Sequence, residues 1–431
     1  MEPLSKVDEL TQWFGENGGH LNEAIEMFHS CVYGYHYVAK SRPIDPKETV
    51  GRCPFSLTLS HLNVISAPPA GILNCSLESV CSKLLDNPKI NRGTIAILFL
   101  AEQRLRGRDS FWFPYIQLLP TEVDMTTPLW FKDEELVYLK GTNLLSNNTP
   151  PEKTSVGQQE GLYREQWELG ISELKDAGVS TDNLTCENTK SSFPVLYPVL
   201  DIFNHRLGTK VGWQFHKGDF NLCLEERVEQ GMQVFNNYSP KGNEDLLMGF
   251  GFCIPDNPYD QVAVRLGEIQ PEMHRKLRDD IPDHWRSETW EPKESVFYLR
   301  AASQYTPGYS NMYGVPKLSC LRGIPPELAK SLYLIILDRN KLAALSEEVA
   351  GEKKNWVGII DALLHQMEYT LMGINQWNGE LPDFPSTAGA KAALIYRTGQ
   401  VKILEEVISE LKKFMDPLRA GVVSIEDSFM E

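Results

Sequence analysis

Apolar positions along this chain change rhythm several times, and each change predicts a change of element. Val7, Leu10 and Phe14 follow Leu4 at a period near 3.6, which predicts a helix over residues 5–17, ended by Gly18-Gly19. Residues 24–31, 34–39 and 55–60 then shift to short alternating or apolar runs around a turn at Asp45-Pro46-Lys47, and predict strands. From about Leu77 the helical period returns. Asn91 is placed to cap a helix over 93–106 with Ile95, Leu98, Phe99 and Leu105 on one face, and residues 162–177 form a second amphipathic helix ended by Gly178. Between them residues 111–120 read as an aromatic-rich loop, 133–139 as a short helix and 146–156 as a polar surface loop. Residues 180–192 are polar and irregular. Strand-like runs resume at 195–200, 211–215, 220–228 and 232–236, with a turn at Lys217-Gly218-Asp219. One more strand at 262–266 precedes helices at 271–277, 325–340, 355–377 and 388–415. The last of these carries Leu394, Val401, Leu404, Val407, Ile408 and Leu411 along one side. The pattern predicts an α+β chain: a β-rich body interrupted by a helical insert, then a helical C-terminal domain.

Composition narrows the partners. The chain has 431 residues, too many for one simple core, and 42% of them are hydrophobic. With 42 basic and 58 acidic residues the net charge is −16, which argues against a nucleic-acid backbone as partner and is compatible with a basic one. The N-terminal residues lack the basic and apolar regions of an export signal, and no apolar run approaches the roughly 18 to 20 residues of a membrane span. A cytoplasmic location is expected, with the nucleus as a second. The eight cysteines form no C-x-x-C pair and no spacing typical of zinc ligands, so reduced, mostly buried thiols are expected and no metal.

Candidate chemistry gathers in residues 198–252, where apolar runs end twice in polar clusters. One cluster is Asp201-x-x-Asn204-His205 and the other Asn236-Asn237-Tyr238, followed by Gly249-Phe250-Gly251-Phe252. That combination, with Lys241-Gly242-Asn243-Glu244 leading into a helical turn, resembles the C-terminal half of a SET domain. It is most similar to the Rubisco large-subunit methyltransferase-like proteins, in particular their fungal members. Upstream, residues 34–60 resemble the N-terminal SET half and 93–120 the insert. Ala392, Leu394 to Arg397, Gly399-Gln400 and Ile403-Leu404 resemble the family's terminal helix. The resemblance implies a split β-rich SET domain with a pseudoknot and a helical insert, then an all-α domain. It places the N-terminal helix and first SET half in 1–75, the insert in 76–194, the second SET half with the active site in 195–256, and a substrate-binding-like domain in 257–431.

It also implies a function: transfer of a methyl group from S-adenosyl-L-methionine to a lysine of a non-histone protein. Two alternatives remain, a catalytically impaired SET-like interaction module and methylation of another side-chain nitrogen such as histidine. Tyr238 is the implied catalytic residue. Asn204, His205, Asp201, Phe252, Tyr33 and Tyr35 are the implied cofactor contacts, with Asp201 either bracing its own turn or touching the cofactor amine. The chain departs from the family in two places. Tyr35-His36-Tyr37 stands where relatives have a small-residue loop, and the short stretch 184–194 lacks a helix ending in arginine, for which Lys190 is a poorer, single-point substitute.

Overall fold

The computed structural model describes residues 5–30, 33–64, 79–147, 150–179, 195–216, 218–265, 296–301, 303, 318–325, 328–329, 331–332 and 352–428. The expected helix at 271–277, most of that at 325–340, and the stretch 184–194 with Lys190 lie outside the described residues. The chain divides into two compact units: residues 1–124 with 159–240, and residues 125–158 with 241–431.

The first unit begins with α1 (Lys6–Glu16), whose Ser5 cap accepts from the Asp8 amide at 3.2 Å. Its buried face is Leu10, Trp13 and Phe14, with the Trp13 ring edge-on to Phe111 at 5.3 Å. Five strands follow: β1 (His20–Leu21), β2 (Ile25–Ser30), β3 (Gly34–Ala39), β4 (Thr49–Pro54) and β5 (Leu59–Ser60). The strand expected over 55–60 is mostly a 3-10 turn, Phe55–Leu57. The cause is Asn63, whose amide donates to the Phe55 carbonyl at 2.9 Å while its oxygen accepts from Thr58 (2.8 Å) and Ser60 (2.6 Å). Side chains that bond locally in this way draw backbone out of a ladder.

The helices α2 (Arg92–Arg106) and α3 (Ser155–Asp176) come next. Asn91 caps α2 as expected, accepting from Thr94 at 2.9 Å, but Leu105 is exposed rather than buried. Glu102 is buried instead, bonded to Ser79 at 2.5 Å and Arg106 at 2.6 Å. Helix α3 starts inside the expected loop 146–156, and from Gln159 onward belongs to this unit. Within the aromatic stretch 111–120, Phe113–Ile116 forms one helical turn.

Among the described residues the further strands of this unit are β6 (Val195–Leu196), β7 (Val211–His216), β8 (Asp219–Leu224) and β9 (Gln233–Val234). Only the first two residues of the strand expected at 195–200 are extended, and a 3-10 turn at Leu200–Ile202 follows. The two halves of the unit interleave, all pairs being antiparallel. The sheets run β1-β4-β8-β7, β2-β3-β9 and β5-β6, with Cys53 opposite Phe220, Tyr37 opposite Val234 and Leu59 opposite Leu196. A bulge falls between Thr49 and Gly51. A Cβ on Gly51 would stand 2.3 Å from the Leu200 side chain, so this glycine lets the turn ahead of Asp201 settle onto β4.

The second unit contains α4 (Asn243–Phe250), the antiparallel pair β10 (Val262–Arg265) and β11 (Val296–Leu299), α5 (Glu352–Asn375) and α6 (Ala388–Arg419). Strand β10 was expected and its partner β11 was not. Helix α6 is capped by Thr387 and carries Leu404, Val407, Ile408 and Leu411 into a core shared with Trp356 and Ile360, while Leu394 and Val401 are only half-buried. No described helix is long and apolar enough to cross a membrane.

Candidate active site

In the first unit, residues 203–206 and 236–238 run side by side. His205 and Asn236 form a parallel bridge, in which the Asn236 amide donates to the Asn204 carbonyl at 2.8 Å and the Arg206 amide to the Asn236 carbonyl at 3.0 Å. The segments are short and polar because neither continues as a strand. Side chains then tie what the ladder cannot. The Tyr238 amide donates to His205 Nδ1 at 3.0 Å, the Tyr238 hydroxyl donates to the Phe203 carbonyl at 3.0 Å, and the two rings stack at 5.1 Å. An Nδ1 that accepts an amide proton belongs to a neutral imidazole protonated on Nε2, and burial lowers the His205 pKa in the same direction.

Asn204 reaches the N-terminal half of the unit, its carboxamide donating to the Tyr33 carbonyl at 3.0 Å. Tyr33 itself is 56% exposed, and Tyr35 is half-buried with its ring 4.7 Å from that of His29. The glycine freedom that the resemblance seeks near position 36 is present two residues earlier. Gly34 has φ +60° and open space where a Cβ would sit. His36 is buried against the rings of Tyr33 and Phe28, with Nδ1 3.0 Å from the Gly34 carbonyl.

Asp201 braces its own turn. Its Oδ2 accepts from the Tyr115 hydroxyl at 2.9 Å and from the Tyr197 amide at 2.8 Å. The residue keeps an exposed surface, yet burial raises its carboxyl pKa to about 7. The residue thus meets water on one side while protein surrounds its charge. Burial and the Asp201 charge together raise the Tyr238 phenol pKa, so this hydroxyl stays protonated. Just ahead, Val199 has φ +73°, a strained geometry for a β-branched residue, and its carbonyl accepts from the buried Tyr37 hydroxyl at 3.3 Å.

The first unit thus brings together Asn204, His205, Tyr238 and the Tyr33 backbone, with Asp201 near enough for its charge to act on Tyr238. Phe252 belongs to the second unit, half-buried with its ring 6.3 Å from that of Phe250. Sequence reasoning missed Tyr115 and Tyr197, which hold Asp201. Tyr115 comes from the aromatic loop of the insert, 86 residues from Asp201 along the chain, and no local spacing signals that pairing.

No protein-family model matches the chain. It is 28% identical to the ribosomal lysine N-methyltransferase set10 of Schizosaccharomyces pombe, over 93% of this chain and 71% of that protein. It is 25% identical to ribosomal lysine N-methyltransferase 1 of Saccharomyces cerevisiae, over 81% and 69%. Human actin-histidine N-methyltransferase is 22% identical over 93% and 67%. Among solved structures, Rubisco LSMT bound to sinefungin and monomethyllysine superposes with a TM-score of 0.70 at 20% identity, covering 97% of this chain and 94% of that one. That likeness shows the fold, a SET domain with a C-terminal helical part.

Proposed function

We propose that this chain, which belongs to the SET-domain protein methyltransferases of the Rubisco large-subunit methyltransferase type, methylates a lysine of a ribosomal protein. The reading is carried by the crossing at Asn204, His205 and Tyr238, where a cofactor clamp and a channel hydroxyl would be held by one set of hydrogen bonds. S-adenosylmethionine, when bound, supplies a methyl group on a positively charged sulfur. The residues present fit such a ligand: Gly34 leaves open space at a positive φ beside the Tyr33–Asn204 bond. A carboxamide that donates one N–H to backbone still has an oxygen and a second N–H for an amino-acid moiety. Asn204 and His205 hold the cofactor, with Tyr33 and Tyr35 beside them.

The acceptor amine must lose its proton, and free lysine has a pKa of about 10.4. A channel that strips water from the ammonium lowers that value, and orientation of the free amine does the rest. The protonated Tyr238 hydroxyl supplies a neutral polar group for that orientation without adding charge. The acidic chain suits a basic acceptor protein, and a ribosomal acceptor supports a location in the cytoplasm or nucleus.

Salt-washed ribosomes incubated with the protein and labelled cofactor test the reading. Labelled methyl-lysine in the hydrolysate of one or a few ribosomal proteins is the expected product. Methyl-histidine would transfer the reading to the chemistry named for the actin-histidine relatives. No label on any ribosomal protein would overturn the substrate class.

A further inference from the structure

Trp213 lies on β7, an edge strand of the four-stranded sheet, and is 44% exposed. Its ring is tilted against Phe220 at 4.7 Å, and its indole N–H is turned inward to donate to the Asn236 carboxamide oxygen at 3.1 Å. Asn236 is only 2% exposed. The same oxygen accepts from the Asn237 amide at 2.7 Å, while the Asn236 main chain makes both bonds to residues 204 and 206. Tyr238 follows two residues later. An asparagine carboxamide has two flips that differ little in shape, and only its neighbours choose between them. Here both neighbours of the oxygen are N–H donors, so the indole and the Asn237 amide select one flip.

We propose that Trp213 is a positioning residue that acts through Asn236. By fixing the Asn236 carboxamide it holds the 236–238 turn, and through that turn both the Asn204 backbone and the Tyr238 ring. Without the indole N–H the carboxamide samples the other flip, in which its NH2 group opposes the Asn237 amide and the turn loosens. The proposal rests on the methyltransferase reading only for its catalytic consequence.

Trp213→Phe tests it, because phenylalanine keeps a six-membered ring to pack on Phe220 while removing the N–H together with the indole's pyrrole ring. Amide hydrogen exchange at Asn237 and Tyr238 needs neither cofactor nor acceptor, and is expected to accelerate about fivefold, the size of one lost hydrogen bond. The melting temperature should stay within about 2 °C of wild type. In the methylation assay kcat should fall several-fold with the acceptor KM unchanged, and the cofactor Kd should rise by a similar factor. Asn236→Asp supplies a second arm. A carboxylate accepts through either oxygen and has no wrong flip, so in that background Trp213→Phe should add less than twofold to exchange at Asn237. Unchanged exchange in Trp213→Phe, or an equal effect in both backgrounds, overturns the proposal. A drop in melting temperature beyond about 5 °C, with exchange raised throughout the unit, also overturns it and makes Trp213 a packing residue. If the wild type binds no cofactor, the functional reading fails while the exchange arms still decide the role of Trp213.

Discussion

Two asparagine-centred networks lie fewer than forty residues apart in this chain, one in each unit, and use the same residue types to different ends. Around Asn243 in the second unit the polar groups are closed off. Its amide and carboxamide donate to Asp260 at 3.0 and 3.1 Å, and its carboxamide oxygen accepts from the Ile254 amide at 2.9 Å. Asn257 donates to the Lys241 carbonyl at 2.9 Å and Gln400 to the Gln261 carbonyl at 2.7 Å. Asn243, Asn257, Asp260 and Gln400 are all buried. Around Asn204 and Tyr238 in the first unit the bonds are as numerous, yet Asn204, His205 and Tyr238 are only half-buried and Asp201 is exposed. The strained backbone at Val199 and the positive φ at Ser239 also flank this network. A closed, satisfied network rigidifies a scaffold, whereas one with polar atoms left at a surface can bind something. The terminal-helix residues that resemble the family's belong with the first kind. Tyr396 bonds Glu244 at 2.9 Å, Arg397 donates to the Lys140 carbonyl at 2.8 Å, and Gly399 backs onto Asp260.

The difference can be broken by mutation. Tyr238→Phe removes one hydroxyl from the open network and should reduce methyl transfer about 10²- to 10³-fold, with the melting temperature nearly unchanged. If activity and stability fell together, the two networks would be of one kind. Asn243→Ala should show the reverse. It removes the side-chain donor to the Asp260 carboxylate, whose pKa burial already raises, and the acceptor of the buried Ile254 amide, and should destabilise the protein by about 3 kcal/mol in denaturant titration. A loss below about 1 kcal/mol would mean that the closed network contributes little.

Asn204→Ala is expected to act between these extremes. It should raise the cofactor Kd about tenfold by calorimetry, since a half-buried carboxamide contributes roughly one charge-assisted hydrogen bond. Retained wild-type affinity would remove Asn204 from the clamp and leave only its bond to the Tyr33 carbonyl.

How much of this was legible beforehand depended on range. Helices α1, α2 and α6 were visible because the apolar period lies within one element, and at α2 the Asn91 cap does too. Strand runs were visible but their lengths were not. At 55–60 and 195–200 the β-rich composition was overridden, in the first case by Asn63 capturing the local polar groups. The Asn204–His205 and Tyr238 clusters could be recognised as motifs. Their bonding could not, because Tyr115 to Asp201, Asn204 to Tyr33 and Trp213 to Asn236 join residues whose adjacency only the interleaved strands create. The altered loop at His36 looked like a loss only while the glycine was sought at that position rather than at Gly34.

The smallest expected effect concerns Asp201, and it tests whether the open network is open. The native carboxyl pKa is raised to about 7 by burial, against 3.8 for an unperturbed aspartate. The folded protein therefore holds a proton on this group that the unfolded chain releases between about pH 4 and pH 7. The stability that the protonated form contributes is complete below the unfolded pKa and is lost as pH rises through the native one. Asp201→Asn never ionises, and its single carbonyl oxygen can accept from both the Tyr115 hydroxyl and the Tyr197 amide. The difference in melting temperature, Asn variant minus wild type, should thus grow more positive from pH 5 to pH 8. The growth should be modest, because the residue keeps an exposed surface and solvent screens part of the cost of its charge. A difference that is flat with pH would mean that Asp201 ionises as freely in the fold as outside it. A difference that falls with pH would mean that the native site stabilises the charge, and the surroundings of Asp201 would then have to present positive groups rather than the tyrosines at 115, 197 and 238.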